Sequence, residues 1–144
     1  MSKILLRVGG LLNLLFVVFH LAMVKPIGKA LAPLSPDIRA TVSTLNIQVA
    51  FTLLIFAYLA IFRWRDLLTT RLGNITAIAI SLFWFLRGVN QVVFYELTAA
   101  DLPLFGLCIV FGLLHLVPVL REWKKVPRIN SLKRAARSSS LPAR

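Results

Sequence analysis

Arg87 stands inside the apolar run SLFWFLRGVNQVVFYE (residues 81–96), with Asn90 and Gln91 three and four residues further on. At about 100° per residue these three side chains share one helix face, flanked by Phe83, Trp84 and Phe94. A guanidinium is a planar fork that can only donate, and it suits carboxylate, phosphate or carbonyl oxygens. The chemistry indicated is recognition of a polar head, with the aromatic residues against an apolar tail. Glu96 lies nine residues away on about the opposite face, so it is not the counter-ion of Arg87.

His20 is the other group near this level that could exchange a proton, and it is the candidate base if the chain catalyses an isomerisation or transfer on a lipid head. Thr44, Asn46 and Gln48 add polar groups from the second apolar block. Asn46 and Gln48 are about 200° apart, so one of the two is expected to join. The expected cluster is therefore His20, Asn46 or Gln48, Arg87, Asn90 and Gln91, with Trp84 beside it and Tyr95 at its edge. No acidic residue is placed within it, which leaves room for an anionic or carbonyl-bearing ligand. The competing reading is that the amides and the imidazole join helices and cap Arg87.

Other chemistries find little support. The apolar blocks hold no Ser-His-acid combination, no glycine-rich phosphate loop and no cysteine pair, since Cys108 is the only cysteine. They also lack the carboxylate that proton-coupled transport usually uses at membrane depth. His20 and His115 fall at different heights and cannot both ligate one haem iron, so no cofactor or metal is expected. His115 is assigned a packing role near Pro118, where it would help to solvate the freed carbonyl of Leu114.

The elements that must hold these residues follow from composition. Hydrophobic residues make up 58% of the 144, against roughly 45 to 50% in soluble domains, and the mean hydropathy is +0.82. Charges are nearly absent from four blocks, residues 4–23, 42–62, 74–95 and 102–120. Each approaches the ~20 residues that span a hydrocarbon core, and a segment in lipid must satisfy its own backbone, which favours helix. The second helix is predicted to begin earlier and to cover residues 36–62, because Ser35-Pro36-Asp37 supplies an N-cap, a first-turn proline and a first-turn acid. The fold class expected is all-α, a polytopic membrane protein built as a four-transmembrane-helix up-down bundle over residues 1–123. Residues 124–144 form a basic tail with too little apolar material to fold alone.

The first block could also be read as a signal peptide. Asn13 and His20 interrupt its apolar run and no small-x-small cleavage site follows it, so retention as a helix is expected.

Charge sets the orientation. Thirteen of the 17 Lys and Arg fall at the N-terminus, in the loop around residues 63–71 and in the tail, against Lys25, Lys29 and Arg39 on the other side. Both termini are thus expected in the cytoplasm, with Trp64 and Trp123 at that interface. The third helix then runs outward and lifts Arg87 some 20 Å from its start, close in depth to His20. The tail is expected to lie on anionic lipid; it lacks interleaved aromatic residues, so nucleic acid is not an expected partner.

Phe19-His20, Leu45-Asn46 and Phe83-Trp84-x-x-Arg87-x-x-x-Gln91 together resemble a pattern found in small bacterial four-helix membrane proteins that have no assigned activity. The resemblance covers roughly residues 10–95 and implies a bacterial inner membrane. The function expected from the residues themselves is binding of a lipid-like, isoprenoid or quinone-type ligand with an anionic or carbonyl head, in an outer-leaflet polar pocket centred on Arg87. The alternatives are an accessory subunit of a larger membrane complex, a homo-oligomer, and an intramembrane enzyme using His20.

Overall fold

The computed structural model describes residues 1–94 and 102–123. Their order is α1 (Ser2–Ala22), α2 (Val24–Ala30), α3 (Pro36–Phe62), α4 (Trp64–Thr69), α5 (Arg71–Phe94) and α6 (Leu102–Trp123), with no strand among the described residues. The four long helices α1, α3, α5 and α6 are each long and apolar enough to cross a membrane, the composition of a multi-pass membrane protein. Tyr95, Glu96, Asp101 and the basic tail lie outside the described residues.

Local chemistry accounts for the helix starts. The Ser35 hydroxyl accepts from the Ile38 amide at 3.4 Å, Pro36 sits in the first turn and Asp37 faces the positive end of α3. At the head of α5, Thr70 Oγ1 accepts from the Gly73 amide at 2.9 Å, and the helix begins at Arg71 rather than at Asn74. The short helices α2 and α4 were not anticipated. Each is only 6 or 7 residues long, too short for an apolar period to register.

Close approach between helices depends on small residues. Gly10 lies against Ala57 and Ala60 of α3, where an added Cβ would come within 3.2 Å of the Ala57 carbonyl. α1 packs on α3 and α6, and α5 on α6. Pairs such as Gly10 with Ala60, His20 with Asn46, Gly9 with His115 and Ser2 with Glu122 run in opposite sequence directions, so α1 is antiparallel to both neighbours. α3 and α5 meet through side chains, among them the edge-to-face rings of Phe56 and Phe83 at 5.2 Å.

Two apolar clusters fill the interior. One joins Val17, Leu53, Ile80, Trp84, Cys108 and Phe111. The other joins Leu6, Leu67, Leu68, Ala77 and Val119 toward the end that holds the N-terminus, where α4 supplies two of its members. Large apolar side chains also cover the outside, with Leu72 at 75% and Phe51 at 63% exposure, while Asn13 and His115 are fully buried. This inverts the distribution expected in water.

Candidate functional site

A cavity of about 500 Å³ opens among the four long helices at the end where α1 and α5 finish and α3 and α6 begin. Its wall is mostly aromatic and aliphatic, and its polar side chains are those of His20 and Arg87, with the Trp84 indole beside them. Phe16 stands edge-on to Trp84 at 5.6 Å, and Phe83 does so at 5.7 Å. Interlocked rings of this kind have few rotamers and give the wall a fixed shape.

His20 lies in the last turn of α1, where backbone carbonyls lose their helical partners. Asn46 of α3 meets both of its polar features. The Asn46 amide Nδ2 donates to the His20 carbonyl at 2.8 Å, and Oδ1 lies 2.7 Å from ring Nδ1. Asn46 is thus the member of the Asn46 and Gln48 pair that reaches the region, while Gln48 is exposed.

Arg87 is half-buried on α5. Its Nη1 donates to Gln91 Oε1 at 3.0 Å, one turn along the same face, and Gln91 is itself buried. Asn90 is half-buried but does not line the cavity, and Phe94 is 74% exposed on the outside of the bundle. Of the residues singled out in the sequence for polar contact, with Trp84 beside them, His20, Trp84 and Arg87 line the cavity. Asn46 and Gln91 hold two of those three, and Asn90 stands apart.

The structure adds a polar network beneath the cavity that sequence reasoning did not assemble. The Trp84 indole Nε1 donates to Asn13 Oδ1 at 3.2 Å. Asn13 Nδ2 donates to the Gly9 carbonyl at 2.8 Å and lies 3.5 Å from His115 Nε2. His115 Nδ1 lies 2.9 Å from the Phe111 carbonyl, so the ring N–H donates there and Nε2 is left to accept from Asn13. His115 therefore reaches the carbonyl of Phe111 rather than that of Leu114, because its ring turns into the α1 interface, where Gly9 leaves it space. The signal available in the sequence was Gly9 and Asn13 one turn apart in an apolar helix, a gap followed by an amide.

The two histidines thus belong to separate networks. Among the described residues no three His, Cys, Asp or Glu side chains gather as a metal site. Comparison with protein-family models, curated proteins and solved structures finds no match for the chain.

Proposed function

We propose that the chain is an up-down four-helix protein of a bacterial inner membrane, with both termini cytoplasmic, that binds a lipid-like, isoprenoid or quinone-type molecule in its cavity. The single observation carrying this reading is the cavity itself, an aromatic and aliphatic space of about 500 Å³ into which a cation and an imidazole are set. Ligand sites commonly have this build, a largely apolar wall with few placed polar groups.

Arg87 supplies the grip on an anionic or carbonyl head. A guanidinium at membrane depth costs about 2.5 kcal/mol or more on insertion scales, and it normally faces a bundle interior or a wet cavity. Gln91 holds its fork from one side. His20, oriented by Asn46, provides the second polar contact, and Trp84 with Phe16 and Phe83 encloses the tail. The function proposed is binding rather than catalysis, because His20 is the one candidate base and no acid accompanies it among the described lining residues.

Native mass spectrometry of the detergent-extracted protein tests the reading. A small molecule retained by the wild type should be lost from Arg87→Leu, while the variant keeps or gains stability once the charge is removed. An Arg87→Leu protein that is more stable and carries the same bound lipid would overturn the proposal. Co-purification of a stoichiometric protein with no bound small molecule would instead favour an accessory subunit.

A further inference from the structure

The geometry points to selection of a head group that carries an O–H beside an accepting oxygen, in preference to an anion or a ketone alone. This deepens the reading of the cavity as a ligand site and rests on it.

Asn46 sets the protonation pattern of the His20 ring. Its Nδ2 donates to the His20 carbonyl at 2.8 Å, and that bond fixes which way round the amide sits. Its Oδ1 is therefore the atom 2.7 Å from His20 Nδ1. An amide oxygen can only accept, so Nδ1 must carry the ring proton. In the neutral ring the remaining nitrogen, Nε2, then offers a lone pair and no hydrogen. Asn46 does not line the cavity and acts as a positioning residue that sets the tautomer of one that does.

Arg87 has the opposite character. It has five N–H donors and no acceptor, and it commits Nη1 to Gln91. Both residues line the same cavity, whose wall is otherwise mostly apolar and aromatic. A carboxylate or a quinone carbonyl would satisfy Arg87 but present lone pairs to Nε2. A hydroxyl next to an ester, ether or phosphate oxygen meets both, since its O–H donates to Nε2 while the neighbouring oxygen accepts from Arg87. Matching a fixed donor and a fixed acceptor discriminates strongly, because a wrong head leaves a site group unpaired. Two amphiphiles share this chemistry, a monoacylglycerol and a long-chain phosphate monoester in its singly charged form.

Trp84 lines the cavity, whereas Trp64 opens α4 and Trp123 closes α6 and neither lines it, so Trp84 can be made the sole reporter. The full chain carrying Trp64→Phe and Trp123→Phe is titrated in maltoside micelles with amphiphiles brominated in the tail, which quench a nearby indole. The probes are a monoacylglycerol, its dimethyl ether, the corresponding fatty acid and the alkyl phosphate. The free glycerol or the phosphate should quench Trp84 saturably at about tenfold lower concentration than the ether, the size expected for one unmatched hydrogen bond in a dry site. That ratio should fall to about one in Asn46→Leu and in His20→Phe, a change that loss of stability alone would not produce.

Whichever of the glycerol and phosphate probes quenches better identifies the source of the ligand, and either result supports the inference. Equal affinity for alcohol and ether, or a preference for the fatty acid, overturns it while leaving the cavity as a binding site. Absence of saturable quenching by any probe overturns the binding reading itself. The comparison among probes is made in a protein with His20 and Asn46 intact, so it holds even where the variants fail to fold.

Discussion

Around Asn13 the polar groups satisfy one another. The indole of Trp84, the carbonyl of Gly9, the imidazole of His115 and the carbonyl of Phe111 form a chain in which each donor finds an acceptor, and Asn13 and His115 are fully buried. Toward the end of the bundle where α1 finishes, Arg87 and His20 are each held by one neighbour and turn their remaining capacity to a cavity. Both regions set amide, imidazole and indole groups among apolar side chains, yet one is closed and the other open. A closed network specifies how helices pack, whereas an open pair of a donor and an acceptor retains its desolvation cost until something fills it. Trp84 belongs to both, with its N–H in the closed network and its ring in the cavity wall.

The comparison breaks most sharply at Asn13. Asn13→Leu leaves the Trp84 N–H and His115 Nε2 without partners, and at ~1–3 kcal/mol per orphaned group the protein should lose about 2 to 6 kcal/mol in a denaturant titration. Ligand binding should weaken with it, because the indole loses its anchor. Gly9→Ala tests the same region by volume. The new Cβ would lie 2.7 Å from His115 Cε1, and overpacking of this kind costs about 1 to 3 kcal/mol. A wild-type stability for either variant would show that the network contributes little.

Filling the open region should have the reverse signature. Val49 lines the cavity, and Val49→Phe should change stability by no more than about 1 kcal/mol while abolishing retention of the bound molecule. Equal loss of stability in Gly9→Ala and Val49→Phe would erase the distinction between closed and open. Asn90→Ala should have the smallest effect, within about 0.5 kcal/mol and without change in ligand retention, since Asn90 stands off the cavity. A binding defect in that variant would return Asn90 to the site.

Length and apolar content made the four long helices legible, and the Ser35-Pro36-Asp37 signature marked the start of α3 to the residue. Spacing along a single helix likewise brought out the pairing of Arg87 with Gln91, four residues apart. Contacts between helices were harder to read. Trp84 and Asn13 are 71 residues apart, and Asn13 and His115 are 102 apart. Such pairs depend on how each helix is rotated about its axis, and a helix whose outer and inner faces are both apolar gives little periodicity from which to read that rotation. His20 and Asn46, 26 residues apart, were placed at one level by depth alone. Depth could not tell that the amide would grip both ring and carbonyl. Glycines were informative only in retrospect, because the space left by Gly9 becomes meaningful once His115 is known to fill it.

The meeting of α3 and α5 has a mechanical consequence. Where α1 adjoins α3, a two-point amide clamp and glycine-to-alanine contact resist separation, and where α1 adjoins α6 the buried Asn13–His115 contact and the Ser2–Glu122 bond cross the gap. Between α3 and α5 the edge-to-face Phe56 and Phe83 rings span the gap, and no hydrogen bond between these two helices joins them among the described residues. Rings can slide apart without stranding a donor or acceptor, and the α3 and α5 backbones do not approach as closely as those of α1 and α3 or of α5 and α6, so shape alone holds this seam. For the ligand proposed above, this seam is a side entry that strands no polar group, and the bulk of residues 56 and 83 would govern how fast it exchanges.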